Sequence, residues 1–181
     1  MTQIKSELRR RFRAEREFLV TDSDWEHLLE SHEVNAASVI ASYFSYGSEP
    51  STHALNKSLI AAGKKVLLPR LREDKDLDWV PWSGRDEDLT SQGLVSEPIG
   101  NTYTGEIDVV IVPALHVDRH GNRLGQGGGS YDRALKNLSA YSIALVYAGE
   151  LTSEEIPSEP HDCRVNAAAT PELLVRFTKQ N

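Results

Sequence analysis

The segment Asp118–Arg133, DRHGNRLGQGGGSYDR, carries the residue types that bind phosphate. Its five glycines lie between an apolar run and a helix-forming run, at positions 121, 125, 127, 128 and 129. Glycine lets backbone N–H groups approach a phosphate closely, and a helix N-terminus favours negative charge. Arg123 and Arg133 could add charge-assisted hydrogen bonds, and Asp132 could hold a divalent metal ion that bridges phosphates. The segment therefore predicts a phosphate-binding loop.

The standard nucleotide motifs do not match this segment. A P-loop needs Gly-Lys followed by Ser or Thr at a fixed spacing, and the sequence has no such site. The pattern GxGxxG fails because Ser130 stands where the last glycine should be, and the loop after Val112 is too long for a dinucleotide-binding first turn. The alternative is a flexible loop without a ligand, which the accompanying arginines and aspartate disfavour.

The longer string VPALHVDRHGNRLGQGGGSYDR is more specific than its glycines. It resembles the signature of the 5-formyltetrahydrofolate cyclo-ligase family, also called methenyltetrahydrofolate synthetases, whose pattern is VPxxxxD…G-x-R-L-G-x-G-x-G-x-Y-D. The matching residues are Val112, Pro113, Asp118, Gly121, Arg123, Leu124, Gly125, Gly127, Gly129, Tyr131 and Asp132.

Three further segments agree with this family in order and spacing. Lys5 and Arg9 look like the K-x-x-x-R pair of its first helix. The stretch Tyr43–Thr52, with Glu49, looks like its first substrate loop, and Ile156–Thr170 looks like its P-x-x-x-H-D…T element. The resemblance therefore spans nearly the whole chain.

The resemblance implies an ATP-dependent ligase that acts on a reduced folate. The family converts 5-formyltetrahydrofolate to 5,10-methenyltetrahydrofolate with ATP as co-substrate and Mg²⁺ as cofactor, and it releases ADP and phosphate. Transfer of the γ-phosphoryl group to the formyl oxygen creates a good leaving group, which N10 of the folate then displaces. Such a reaction depends on positioning and charge stabilisation, without a protein nucleophile.

The resemblance also assigns the site residues. The expected ATP-binding residues are Lys5, Arg9, Arg123, Leu124, Gly125, Gln126, Gly127, Gly128, Gly129, Ser130 and Tyr131. The expected substrate-binding residues are Phe44, Glu49, Gln126 and Ser130. The expected metal ligands are Asp132 and Asp162.

Each assignment has a structural alternative that the pattern alone leaves open. The basic residues of the first helix could form a solvated face, and Tyr131 could be a core aromatic. Asp132 could be a first-turn helix carboxylate, and Asp162 could close an Asx turn. Glu49 could be an exposed acid. Two tryptophans near the middle of the chain are better explained by core packing, and His161 with its neighbouring cysteine offers too few ligands for a metal site.

Three positions depart from the family pattern. Gln126 stands where many members carry an aromatic residue, Met or Arg, and Ser130 stands where Tyr or Phe is usual. Asn166 stands where an Asp often follows the H-D pair. The first two motivate an alternative, a paralogue that binds folate or nucleotide without turnover. A further alternative, an ATP-independent sugar-phosphate isomerase, would need the phosphate loop but no metal-binding acid.

The hydrophobic pattern predicts the elements that position these residues. The predicted helices cover 3–19, 24–33, 51–62 and 129–138, with a short last helix in the tail. The predicted strands are Val39–Phe44, Lys65–Leu68 ended by Pro69, one near Trp82 that includes Leu77 and Trp79, Ile107–Val112 and Tyr141–Ala148. Residues 113–128 are expected to form a loop.

Alternating strands and helices are typical of an α/β fold with a mainly parallel sheet, whose ligands lie beyond the carboxyl ends of the strands. The length of 181 residues suits a single domain over 1–181. The family resemblance implies helices on both faces of the sheet, in a Rossmann-like three-layer arrangement.

Composition limits the partners. The 20 basic and 27 acidic residues give a net charge of −7, which argues against a nucleic-acid partner. Unbroken apolar runs such as Val109–Val112 are far too short to span a membrane, and the N-terminus has no apolar signal region. The lone cysteine, Cys163, favours a reducing cytoplasm. The family resemblance implies that the partners are the small molecules 5-formyltetrahydrofolate and ATP, and we expect a monomer.

Overall fold

The computed structural model describes residues 2–178 of the chain. Its α-helices are α1 Thr2–Arg16, α2 His32–Ala36, α3 His53–Ala61 and α4 Ser130–Lys136. Short 3-10 helices cover Glu26–Glu30, Asp86–Asp88 and Ala148–Glu150. None of the helices within residues 2–178 combines the length and apolar character needed to cross a membrane.

The strands form one large and two small sheets. They are β1 Val39–Ala41, β2 Lys65–Leu71, β3 Leu77–Pro81, β4 Leu89–Gln92, β5 Val95–Pro98, β6 Val109–Pro113, β7 His116–Asp118, β8 Arg123–Leu124, β9 Tyr141–Leu145, β10 Leu151–Thr152, β11 Ala167–Ala169 and β12 Leu174–Arg176. The large sheet has the order β12-β11-β9-β6-β1-β2-β3. Its five inner strands are mutually parallel, and β12 and β3 pair antiparallel at the two edges. The predicted mostly parallel α/β sheet is confirmed.

Strand β6 lies in the centre of the large sheet, as its continuous apolar run predicts. It pairs with β1 on one side and with β9 on the other. Ile111 belongs to one buried cluster and Val110 to another, so the strand packs on both faces. Helices α2 and α3 cover the first face, and α4 covers the second. Helices therefore flank both faces, as the resemblance implies.

The second predicted strand does not end at Pro69, because β2 continues past it. Trp82 donates its backbone N–H to the carbonyl of Val66 (3.0 Å). Hydrogen-bonded and non-hydrogen-bonded residue pairs alternate along an antiparallel ladder, so Pro69 and Trp79 form a non-hydrogen-bonded pair. The nitrogen of Pro69 therefore faces away from β3. On that other side the pairing with β1 ends at Ser42. The ladder with β1 therefore stops where Pro69 has no N–H to donate, whereas the ladder with β3 continues to Leu71.

Other boundaries also differ from the prediction. Helix α1 ends at Arg16 and α4 at Lys136, both earlier than expected. The helix predicted over 24–33 is interrupted at Ser31, whose hydroxyl accepts from Val34 N–H (3.4 Å) and starts α2. The expected loop 113–128 contains the hairpin β7–β8.

The tail of the chain contains strands where a helix was predicted. Within residues 151–178 the structure has β10, β11 and β12 and no α-helix. The alanines of β11 are fully buried between β9 and β12. Alanine has low strand propensity, so the local sequence gave no sign of this strand.

A buried ion pair attaches the end of α1 to the sheet. The guanidinium of Arg16 donates to both carboxylate oxygens of Glu150, from Nε at 2.5 Å and from Nη2 at 2.7 Å, and also to the carbonyl of Ala114. Glu150 in turn accepts the backbone N–H of Tyr147 (2.8 Å). The two side chains are 1% and 0% exposed. Helix α1 is therefore fixed by a bidentate bond between residues far apart in sequence.

Removing one member of this pair should strongly destabilise the fold. We expect Arg16→Met to lower the free energy of unfolding by about 3–5 kcal/mol, because a buried carboxylate is left without its cation. Urea denaturation measures the change. As a control, Glu15→Gln breaks the exposed pair with Arg11 and should change the free energy by less than about 0.5 kcal/mol. A loss for Arg16→Met as small as that of the control would contradict the prediction.

Candidate active site

A cleft of about 430 Å³ lies at the carboxyl ends of the central strands. Helix α1, the loop after β1, the ends of β2 and β6, the hairpin β4–β5, the glycine loop (residues 125–129) and the acidic turn (residues 159–162) form its walls. All residues that the sequence assigned to nucleotide, folate or metal line it: Lys5, Arg9, Phe44, Glu49, Arg123, Leu124, Gly125, Gln126, Gly127, Gly128, Gly129, Ser130, Tyr131, Asp132 and Asp162. The fold thus brings distant segments of the chain to one place.

The glycine loop follows β8 and leads into α4. Gly127 and Gly129 have φ angles of +110° and +70°, which side-chain-bearing residues rarely adopt. A Cβ on Gly125 would lie 2.6 Å from Nη1 of Arg123. Within the described residues 2–178, no backbone N–H of the glycine loop donates a hydrogen bond. These donors are therefore available for an anionic ligand.

Two arginines of α1 hold the glycine loop. Arg9 donates from Nε to the carbonyl of Gly125 (2.9 Å). Arg13 donates from Nε to Oε1 of Gln126 and from Nη2 to its carbonyl, both at 3.0 Å. Gln126, which departs from the family pattern, is thus hydrogen-bonded to Arg13 in this chain. Sequence reasoning missed Arg13, whose contact depends on the tertiary fold.

Arg123 is buried beneath the glycine loop. Its side chain is 3% exposed and donates to Asp132 Oδ1 (3.0 Å) and to the carbonyl of Pro113 (3.2 Å). Its Nε is buried and has no partner within residues 2–178. An unpaired buried donor is unfavourable, so a ligand acceptor would stabilise this arrangement. Leu124 is 1% exposed and packs with Phe12, so any contact of Leu124 to a ligand falls to its main chain.

Lys5 bonds to the acidic turn and does not belong to a solvated face. Its ammonium donates to Glu159 Oε2 (3.0 Å) and to Asp162. Burial lowers the pKa of Lys5, but the two carboxylates outweigh it and raise the pKa above its ordinary value. Burial raises the pKa of Asp162, yet the hydrogen bonds from Lys5 and from Glu159 N–H (2.6 Å) bring it below the usual range. Asp162 therefore closes its turn and also binds a cation.

The acidic turn groups several possible metal ligands. One ligand atom from each of Glu159, His161 and Asp162 lies within 4.8 Å of the others. Asp132 joins the same region by accepting the backbone N–H of Cys163 (3.2 Å). Carboxylate oxygens are suitable ligands for Mg²⁺. Sequence reasoning missed Glu159.

Glu49 and Phe44 line the cleft from the loop after β1. Glu49 accepts the backbone N–H of Tyr46 (3.1 Å) and forms no ion pair within residues 2–178. Burial raises its pKa to about 7, against the opposing effects of that hydrogen bond and of Arg16. The ring of Phe44 stacks on His53 with centroids 4.1 Å apart. Leu71, Leu77 and Val95 supply an apolar wall that the sequence did not indicate.

Tyr131 lines the cleft and also packs against both hydrophobic clusters. The alternative that Tyr131 is a core aromatic therefore holds for part of its surroundings. Desolvation raises the pKa of its hydroxyl well above the ordinary value. Trp79 and Trp82 are buried in the core, as the sequence indicated.

Several highlighted residues lie outside the cleft. Arg133 donates to the carbonyls of Lys75 and Gly128 and is not positioned for phosphate. Asp118 is 1% exposed and accepts four hydrogen bonds, from the N–H groups of His120, Asn122 and Ile156 and from the Asn122 amide. Asn166 accepts from Ser142 at the start of β9. These residues stabilise the scaffold.

The family of the chain follows from comparison with known proteins. The model of the 5-formyltetrahydrofolate cyclo-ligase family matches residues 2–171. The chain belongs to the 5-formyltetrahydrofolate cyclo-ligase family. The resemblance inferred from the sequence is confirmed, and with it the assignment to a family of ATP-dependent ligases.

Cyclo-ligases of two bacteria show the extent of the similarity. The chain is 39% identical to the 5-formyltetrahydrofolate cyclo-ligase of Mycolicibacterium smegmatis over 142 residues, which cover 73% of each protein. It is 33% identical to that of Haemophilus influenzae over 175 residues, which cover 88% of this chain and 91% of that protein.

Solved structures of 5,10-methenyltetrahydrofolate synthetases share the cyclo-ligase fold seen here. The protein from Aquifex aeolicus matches with a TM-score of 0.81 and 23% identity, over 98% of this chain and 95% of that one. The protein from Mycoplasma pneumoniae matches with a TM-score of 0.69 and 20% identity, over 91% and 96%. At these identities the likeness supports the fold.

The raised pKa of Glu49 predicts a pH-dependent stability difference. The folded state keeps this proton up to about pH 7, whereas an unfolded glutamate loses it near its ordinary pKa of 4.5. The folded state therefore binds more protons across this interval, and rising pH lowers the free energy of unfolding. Urea denaturation should show that the free energy of unfolding of Glu49→Gln rises relative to that of wild type between about pH 4.5 and 7. A difference that stays constant over this interval would contradict the shift.

Proposed function

We propose that this chain cyclises 5-formyltetrahydrofolate to 5,10-methenyltetrahydrofolate with consumption of ATP and release of ADP and phosphate. The observation that carries the proposal is the convergence of four separate signature segments on one cleft. Family membership supports the same activity.

The glycine-loop end of the cleft would bind the ATP phosphates. The free N–H groups of the loop and the buried Nε of Arg123 would donate to phosphate oxygens. Arg9 and Lys5 would add positive charge from α1. Gln126, Gly128, Ser130 and Tyr131 also line the cleft and would complete the proposed nucleotide contacts, with Leu124 contributing through its main chain.

The wall formed by the loop after β1 would bind the folate. Glu49 would accept hydrogen bonds from the polar N–H groups of the reduced pterin at its Oε1, since Oε2 already accepts from Tyr46. Phe44 and the apolar wall would pack against the flat ring. Gln126 and Ser130 lie where the two ligands would meet.

The residues present fit a Mg²⁺ ion. Asp132 and Asp162 would supply hard oxygen ligands of the kind that Mg²⁺ prefers, beside the proposed phosphate site. A bound Mg²⁺ would neutralise part of the phosphate charge.

The cleft would promote the reaction by positioning two substrates. Arg123, Arg9 and the glycine loop would orient the γ-phosphorus toward the formyl oxygen, and Glu49 would fix the pterin. As the bond to ADP breaks, a bond to the formyl oxygen forms. N10 then attacks the formyl carbon, the bond from this carbon to the phosphate oxygen breaks, and the N10 proton leaves with the phosphate, while the cations stabilise the charge on the departing oxygens.

The remaining expectations are predictions from the sequence. We propose that residues 1–181 form one cyclo-ligase domain that acts as a monomer in the cytoplasm, without a nucleic-acid or membrane partner.

A turnover assay tests the proposed reaction. Purified protein is mixed with 5-formyltetrahydrofolate, ATP and Mg²⁺, and methenyl product and ADP are followed by absorbance and by a coupled assay. We expect both products in equal amounts. Tight binding of either ligand without ADP release would instead indicate a binding paralogue, and the absence of product from folded protein would refute the proposal.

Arg9 provides a matched test of the nucleotide site. Arg9→Met should raise the KM for ATP about 10-fold to 100-fold, since a charge-assisted hydrogen bond contributes about 1.5–3 kcal/mol. Arg10→Met is the control, because Arg10 is exposed beside it on the same helix. Steady-state kinetics with ATP varied measures both variants. An equal effect of the two substitutions would count against a specific contact by Arg9.

A further inference from the structure

At the phosphate end of the cleft, groups that the proposed function assigns to different ligands are bonded to each other. Lys5, proposed to contact ATP, donates to Glu159 Oε2 (3.0 Å) and to Asp162, a proposed metal ligand. Arg123, also proposed to contact ATP, donates to Asp132 Oδ1 (3.0 Å), the other proposed metal ligand. Each proposed metal carboxylate therefore already has a cation from the proposed phosphate site.

The two pairs differ in what a ligand must displace. Arg123 keeps a buried Nε without a partner in residues 2–178, so it can bind a phosphate oxygen while it stays bonded to Asp132. Lys5 has its ammonium between the carboxylates of Glu159 and Asp162. A divalent cation can take this place only when Lys5 leaves.

Burial makes the departure of Lys5 unfavourable unless another anion receives it. Its side chain is 7% exposed, and those of Glu159 and Asp162 are 26% and 20% exposed. A metal ion that entered alone would leave a poorly solvated ammonium without a partner. A nucleotide that entered alone would draw Lys5 away and leave two carboxylates beside its phosphates.

The charge of the whole cleft favours joint entry. Apart from Glu49, which burial keeps protonated up to about pH 7, its lining has four carboxylates and three lysine or arginine cations: Glu97, Asp132, Glu159 and Asp162 against Lys5, Arg9 and Arg123. A polyanion alone would therefore enter a cleft with a surplus of acidic groups. Entry of a divalent cation together with phosphates gives each displaced group a new partner of opposite charge.

We propose that Lys5 is an internal counter-ion, which holds the place of the metal at Asp162 and Glu159 and transfers to the nucleotide phosphates when metal and nucleotide enter together. The inference rests on the proposed function. The proposal adds Glu159 to the site. Its carboxylate binds Lys5 before the ligands enter and faces the metal ion after they have entered. Binding of metal and nucleotide is then coupled reciprocally through one side chain.

The exchange makes an unusual prediction, because removing a cation from the nucleotide site should improve metal binding. Isothermal titration calorimetry with MgCl₂ alone should show Mg²⁺ binding about tenfold tighter to Lys5→Met than to wild type, within the usual range of coupling effects. Arg10→Met is the control, since it removes an exposed positive charge from the same helix without touching the turn. Circular dichroism and thermal melting establish that each variant is folded.

A second variant tests the exchange from the other side. Glu159→Gln weakens the hold on Lys5, so ATP in the presence of EDTA should bind several-fold tighter to this variant than to wild type, while Mg²⁺ alone should bind more weakly. This measurement decides the question if Lys5→Met does not fold.

Two results would overturn the exchange: equal Mg²⁺ affinity of wild type and Lys5→Met, or an equal gain for Arg10→Met, which would indicate a general charge effect. For Glu159→Gln, unchanged or weaker binding of metal-free ATP would also overturn the exchange.

Turnover by wild type separates the two proposals. Turnover without the affinity changes removes only the exchange, whereas the affinity changes without turnover support the exchange and remove the proposed reaction.

Discussion

The buried pair of Arg16 and Glu150 determines where the cations of the cleft lie. Helix α1 is not part of the layered sheet, yet it presents Lys5, Arg9 and Arg13 on successive turns toward the cleft. A buried ion pair contributes little net stability compared with an apolar pair, but its bidentate geometry permits one orientation. Together with the packing of α1 on β7 and β8, it fixes both the rotation and the position of the helix along its axis.

The cleft combines groups that are already bonded with groups that are free. Its acidic turn and Arg123 are paired within the chain, whereas the glycine-loop N–H groups and Arg123 Nε have no partners within residues 2–178. Unpaired donors at fixed positions can bind a phosphate without any rearrangement of the protein. Such preorganised donors are a source of electrostatic catalysis. Paired side chains must exchange partners when a ligand binds, and this exchange selects the ligand by its charge.

Local sequence predicted the features that depend on local chemistry. The apolar run of β6 and the glycine-rich segment were both recognisable, because burial on two faces and close backbone approach restrict residue type directly. The family signature named candidate site residues, and the structure brings these candidates to one cleft. Strand β11 was missed, since its three alanines have low strand propensity although they are fully buried.

The contacts of Glu159 and Arg13 could not be predicted from the sequence. Their partners lie 154 and 113 residues away, and nothing in either residue's own neighbourhood indicates such a contact. Pro69 illustrates the opposite error. The proline was expected to end its strand, but it removes a donor only from the ladder with β1, and the antiparallel ladder with β3 continues past it.

Asp118 shows why activity alone is a poor guide to the catalytic residues of such a protein. Its carboxylate joins the β7–β8 turn to Ile156, a few residues before the acidic turn, although it does not line the cleft. Loss of this carboxylate would displace the acidic turn relative to the glycine loop. A mutational scan scored only by product formation would therefore rank Asp118 with Asp132, and a parallel scan of protein abundance would separate the residue that builds the cleft from the one that faces it.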